Sequence, residues 1–407
     1  MGEAILIQHG SSSGEVKVEF DNFVPSNIDP SDEGLSHSIP TALSRGRYNL
    51  AGASVGNYAL FAGGYESDYY PGTVDAYDAS LTRSTPTTLS VGRGLFAGAS
   101  VGNYALFAGG YDSSSIEDDT VDAYDASLTR STPTVLSRAR VHLAGASVGN
   151  YALFAGGTMS YIDFATVDAY DDSLTRSTAT SLSAAKGALA GASVGNYALF
   201  AGGTSGSSLD TVDAYDTSLT RSAPTTLSLG RSQLAGASVG NYALFAGGTP
   251  GSSGNRDAVD AYDTSLTRLT PTALSVGRYN LAGARAGYCA LFAGGQRTYS
   301  SYSDVVDAYD DSLIRSTPTA LSVGRWSLAG ASVGNHALFA GGRYDYSDYN
   351  RAVDAYTHVV PETILYMPIG TKYKFGESEE TATTNKIVVR VPLTGYIKYK
   401  NGVISNG

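Results

Sequence analysis

A single cysteine, Cys289, stands among 407 residues, so neither an internal disulfide nor a thiolate metal centre can form. It occupies the repeat position held elsewhere by Tyr58 and Tyr242 and reads as a packing substitution. Lysine is scarce as well, and no basic block or stripe occurs. With a formal net charge of −11 the chain lacks the footprint that phosphate backbones require, so nucleic acid is not an expected partner. Long hydrophobic runs are missing, and membrane insertion is not expected. The opening "MGEAILIQHGSSSGEVKVEF" has a short apolar stretch and no basic n-region, which is not the pattern of a signal peptide. A protein of this kind acting outside a cell would leave by another route, such as release within a virus particle. The histidines His9, His37, His142, His336 and His358 sit at unrelated positions, and no HExxH, GxSxG or phosphate loop occurs. No catalytic residue, metal site or cofactor is therefore expected, and no window carries helical periodicity.

Self-similarity is what the chain has in abundance. A double glycine falls at Gly63-Gly64, Gly109-Gly110, Gly156-Gly157, Gly202-Gly203, Gly247-Gly248, Gly294-Gly295 and Gly341-Gly342, spaced 45 to 47 residues apart. Each of the seven copies reads as four extended pieces. "LAGASVG" and "NYALFAGG" form a hairpin around Gly56-Asn57; "VDAYDAS" and "TRSTPTTL" follow, separated by an Asp/Ser turn. Four strands per repeat is the signature of a propeller blade. Ala51, Gly52, Ala53, Ser54 and Val55 suit an inner strand where blades converge, and Leu60, Phe61, Val74 and Tyr77 suit the wider gaps further out. The expected architecture is an all-β, seven-bladed β-propeller over residues 34–356, with an N-terminal arm (1–33) and a small C-terminal β region (357–407).

The ends of the array predict how the ring closes. Gly34–Arg47 aligns with Ser80–Arg93, so a fourth strand precedes the first copy, whereas the seventh copy runs "VDAYTHVVPETI" and lacks one. The N-terminal segment can supply the missing strand and remove the exposed edge. An Arg, a strand of small residues, four apolar residues before a double glycine and "VDAYD" together resemble the kelch repeat, whose members form β-propellers. The resemblance covers Gly34 to Tyr356 and implies a fold rather than a function, since kelch propellers include enzymes, adaptors and structural proteins. Kelch repeats usually carry a Trp in the last strand. Here that region reads "LTRSTP", and packing is expected to rely on Leu81, Thr82 and Ser84. The opening "EAILIQHGSSSG" is also similar to the starts of tail-associated proteins from phages of gut bacteria.

Variation between copies is confined to two places. One is the linker after the double glycine, from "YESDYYPGT" in the first copy to "RYDYSDYNRA" in the last. The other is a pair of residues after each "GR": Tyr48-Asn49, Gly94-Leu95, Val141-His142, Gly187-Ala188, Ser232-Gln233, Tyr279-Asn280 and Trp326-Ser327. In an antiparallel blade both connections leave from one end, so both variable segments are expected on one face. Tyr, Ser, Gly, Asp, Asn and the only Trp fill them, the composition of surfaces that recognise other molecules. Once the ring closes, copies six, seven and one become neighbours. The candidate ligand-binding residues are Tyr48, Asn49, Tyr65, Tyr69, Tyr70, Tyr279, Asn280, Tyr299, Tyr302, Trp326, Tyr344, Tyr346 and Tyr349. The partner so implied is a cell-surface glycan or protein receptor, and the setting a virion or cell surface. Free drift of surface loops is the competing explanation.

Two repeated polar motifs remain. "DxYDxS", as in Asp75, Tyr77, Asp78 and Ser80, resembles a calcium-ligand run, but alternation sends Asp75 and Asp78 to opposite sides, and Asp78 is expected to cap its own turn. Arg47, Arg93, Arg140, Arg231, Arg278 and Arg325, with Lys186 in the fourth copy, either pair internally or form an anion-binding ring like that of sialic-acid-handling kelch enzymes. That second reading would make the protein an enzyme acting on an acidic sugar; a purely structural scaffold is the third. The segment 357–407 holds five lysines (372, 374, 386, 398, 400) and suits attachment or oligomerisation.

Overall fold

A computed structural model describes residues 34–358 in full, apart from 115, 252–255, 299–300 and 346–348, together with the backbone of the terminal strands named below. The chain divides into two compact units, Ser36–His358 and Met1–Leu35 with Val359–Gly407.

The larger unit is an all-β propeller of seven four-stranded antiparallel blades, and no helix occurs among the described residues. Blade one is typical: an inner strand Ala51–Val55, then Tyr58–Ala62, Val74–Asp78 and a short outer strand Arg83–Ser84. In blade seven the outermost strand is Gly34–Ser38, which lies beside Val353–Val359. The ring therefore closes with the N-terminal segment, as the alignment of the array ends predicts.

Residue size sets the radial order. A methyl group added at Gly52 would overlap the Gly330 carbonyl oxygen, and the same contact recurs around the axis through Gly98, Gly145, Gly191, Gly236, Gly283 and Gly330. Each inner strand thus touches its neighbour backbone to backbone. Ser100 Oγ donates to Ser54 O, and Ser54 Oγ to Ser332 O, both at 2.6 Å. Arg285 interrupts this serine series in blade six. Further out, the gap between blades fills with aromatic and branched side chains. Leu60, Ala62, Val74 and Ala76 of blade one pack against Ala105, Phe107 and Tyr124 of blade two in one buried cluster. Phe61 meets Tyr77 edge-on at 6.0 Å, and the pair recurs in every blade. Each such Tyr sends its hydroxyl to a backbone carbonyl of the incoming connection, Tyr77 to Thr41 O at 2.7 Å, and burial drives its pKa up. In the turn before the outer strand Leu81 packs as expected, but Thr82 and the strand residue Ser84 face solvent; Leu89 and its counterparts fill the core instead.

The double glycine seals blade to blade. Gly63 and Gly64 have φ of 55° and 113°, the Gly64 N–H donates to Arg93 O at 2.9 Å, and a side chain at Gly63 would strike that carbonyl. The last double glycine does the same across the closure, from Gly342 N–H to Arg47 O.

In the smaller unit the two ends of the chain share sheets. Ala4–Ile7 pairs in parallel with Lys386–Arg390, which also pairs with Glu362–Tyr366. Val18–Phe20 lies between Lys372–Phe375 and Val403–Asn406. The arm and the C-terminal region, expected as separate pieces, are thus interleaved.

Candidate functional site

Both variable segments do lie at one end of each blade, because they are hydrogen-bonded to each other. Tyr48 bridges Tyr65, Gly94 pairs with Tyr111, Val141 with Thr158, Gly187 with Thr204, Ser232 with Thr249, Tyr279 with Gln296, and Trp326 with Arg343. The opposite end carries the repeated turns. There Asp78 Oδ1 accepts the N–H groups of Ser80 (2.8 Å) and Thr82 (2.9 Å), an Asx cap like the one expected. No group of side chains arranged to hold a metal occurs among the described residues.

Blades six, seven and one bring six of the named aromatic residues together. Tyr48 lies 5.4 Å from Tyr65, 5.9 Å from Trp326 and 6.0 Å from Tyr349, ring centre to ring centre. Tyr65 meets Tyr70 at 5.1 Å, and Tyr302 stacks with Trp326 at 6.5 Å. The Arg343 guanidinium lies over both Tyr48 and Tyr349. Burial raises the pKa of Tyr48 although Arg343 opposes it. Tyr65 donates to Asp68 Oδ1 at 2.8 Å and is pushed up to about 12 by that bond. The Tyr48 and Tyr65 phenols are thereby held neutral at physiological pH. Tyr69, at the edge, bonds Arg45, which also pairs with Glu66. Tyr279 lies under the Arg256 guanidinium in blade six, and Tyr344 is exposed. Tyr299 and Tyr346 fall outside the described residues.

The arginines considered as an anion-binding ring lie elsewhere. Arg47, Arg93, Arg140, Arg231, Arg278 and Arg325 are 0% exposed, and each bonds a fully buried aspartate of its own blade: Asp75, Asp122, Asp168, Asp260, Asp307 and Asp354. Lys186 does the same with Asp213. Around each aspartate a serine of the incoming connection and an outer-strand arginine complete the hub, as Ser228 and Arg268 do at Asp260. In blade seven His37 of the closing strand takes the arginine's place, 2.7 Å from Asp354. Burial opposes the charge on Asp354, yet Arg325, the Ser322 N–H and His37 hold its pKa below the usual carboxylate range. The positive charges are thus matched inside the blades, and none faces a ligand.

The axis holds a site that sequence reasoning reached only in part. Asn49, Leu95, His142, Ala188, Gln233, Asn280 and Ser327, the second member of each variable pair, form a collar. Seven backbone hydrogen bonds close it: Leu95 N–H donates to Asn49 O, His142 to Leu95, Ala188 to His142, Gln233 to Ala188, Asn280 to Gln233, Ser327 to Asn280 and Asn49 to Ser327. All seven have φ between 51° and 59°. That conformation costs a residue with a side chain about 1 kcal/mol relative to glycine. Beneath the collar Leu50, Phe96, Leu143, Leu189, Leu234, Leu281 and Leu328 make an apolar band around the axis, and the open funnel above and within it holds about 430 Å³. Trp326 lines one side. Of these collar positions, Asn49 and Asn280 were expected in a site; Leu95, His142, Ala188, Gln233 and Ser327 were not. Their signal was the variable pair itself, whose second member differs in most copies.

No protein-family model matches the chain, and no curated protein sequence does.

Proposed function

We propose that the protein is a recognition module, a kelch-like propeller whose variable end binds a cell-surface glycan or protein receptor, and that it serves as an adhesin on a virion or cell surface. The observation that carries this reading is the cluster of Tyr48, Tyr65, Tyr70, Tyr302, Trp326 and Tyr349, contributed by three adjacent blades at the one end where copies differ. Rigid aromatic side chains supply large contact area for little lost rotamer freedom, and binding energy concentrates on such anchors. The invariant letters meanwhile have structural work elsewhere: Arg47 and Asp75 in the hub, Gly63 at the seal, Asp78 in the turn. The segment 357–407 serves attachment or oligomerisation in the same proposal.

An acidic-sugar enzyme would need arginines open to substrate, and all six are buried and bonded to aspartate. The test is binding of labelled full-length protein to receptor-bearing cells. Tyr65→Ala with Tyr349→Ala is expected to reduce it by at least about thirtyfold, two or more kcal/mol, with the Tm kept. Unchanged binding by the folded variant would overturn the reading.

A further inference from the structure

Besides Ser67, Asp68, Ser160 and Tyr161 in two linkers, two sets of residues recur from blade to blade with left-handed backbone without being glycine, and they differ in kind. Leu81, Leu128, Leu174, Leu219, Leu266 and Leu313 are the same residue in six blades, and each packs against a buried cluster. Packing explains them. The collar is the reverse case. It uses Asn, Leu, His, Ala, Gln, Asn and Ser, and no copy uses glycine, although glycine makes up 48 of 407 residues and suits that backbone best. Their backbone groups already bond around the ring, so the backbone alone asks for no side chain. Strain retained at positions that line a cavity points to what the side chains present.

We propose that the axial funnel is a binding pocket for one neutral sugar ring, the terminal residue of a glycan receptor. This rests on the recognition reading above and deepens it by choosing glycan over protein. Three observations define the ligand. The lining carries no Asp, Glu, Lys or Arg, so nothing there neutralises a charged ligand. Asn49, Gln233, Asn280 and Ser327 stand as neutral donors and acceptors above an apolar band, which matches a sugar with both hydroxyls and C–H surface to bury. A funnel of about 430 Å³ is within the range of small-molecule pockets.

The experiment is ligand-observed saturation-transfer NMR on the full chain with glucose, galactose, mannose and N-acetylglucosamine, against glucuronic and sialic acids. At least one neutral sugar is expected to give transfer. Gln233→Gly and Asn280→Gly should weaken its affinity by about tenfold or more, while Tm stays equal or rises because the strain is relieved. Absence of transfer from every neutral sugar, equal transfer from the acidic ones, or unchanged affinity in both glycine variants would overturn the proposal. Cell binding separates this failure from failure of the broader reading. If Tyr65→Ala with Tyr349→Ala abolishes it and the glycine variants bind cells normally, the face recognises a receptor and the funnel is not its sugar pocket. If the tyrosine variant binds cells unchanged, the broader reading fails whatever the sugars do.

Discussion

Asp260 and Asn280 lie in neighbouring blades, and between them they show the two economies of this molecule. Around Asp260 both carboxylate oxygens are matched: Arg231 from within the blade at 2.8 Å, Arg268 from the outer strand at 2.9 Å, and the N–H and hydroxyl of Ser228. The same hub recurs in each blade with little change, because an aspartate stripped of water tolerates no missing partner. Around Asn280 the backbone is bonded on both sides, but the side chain opens onto a cavity and differs from blade to blade. Repetition follows where burial leaves one solution. Diversity follows where a side chain meets space.

The largest test of that contrast is to break a hub. Asp260→Ala leaves Arg231 buried without its carboxylate and should cost about 3–5 kcal/mol, read by urea unfolding. A loss below about 1 kcal/mol would mean that the hub is not what fixes the repeat. Leu266→Gly should cost about 2 kcal/mol even though glycine suits its backbone, since Leu266 packs against the cluster between blades four and five. At the seam, His37→Arg restores the hub found in the other six blades and should raise stability by about 1 kcal/mol at neutral pH, whereas His37→Ala should lower it. Gln233→Gly makes the matching change in the collar and should leave stability equal or up to about 1 kcal/mol higher. If Gln233→Gly and Leu266→Gly destabilise alike, the distinction between collar and turn collapses.

The smallest effect concerns His142. Its side chain is exposed at the funnel, where the surrounding blades still limit its hydration; that lowers its pKa, with Asp163 opposing. The unfolded chain then binds the proton more readily. Stability present above about pH 6.5 is lost as pH falls through that value towards the depressed folded pKa. His142→Gln should flatten that part of a stability-against-pH curve.

The ring itself was legible in the sequence because seven near-identical copies repeat their turn residues at fixed offsets, and because Gly34–Arg47 so plainly fits the gap left by the last copy. The placement of variability followed from antiparallel topology alone. The Arg–Asp hub was legible only as one of two choices. Alternation shows that Asp75 and Asp78 diverge, but not that Asp75 reaches an arginine 28 residues earlier. The collar was hidden for a different reason. Leu, His, Ala and Gln do not announce a left-handed backbone, which the ring of hydrogen bonds between blades imposes. Thr82 and Ser84 were misjudged because the kelch pattern suggested a packed last strand, whereas that strand is only Arg83–Ser84, of which the arginine reaches inward while Ser84, like Thr82 before it, turns outward. The interleaved termini escaped too, since parallel pairing of Ala4–Ile7 with Lys386–Arg390 leaves no local trace.

The bridge between the residue after each arginine and the residue after each double glycine has one more implication. Tyr48 and Tyr65, Ser232 and Thr249, Trp326 and Arg343 occupy equivalent anchor points, identical in backbone pairing whatever the side chains are. Each linker is therefore a cartridge with a standard fitting. The anchor is the same whichever linker follows it, so the propeller is a seven-slot holder whose surface chemistry is set by its inserts.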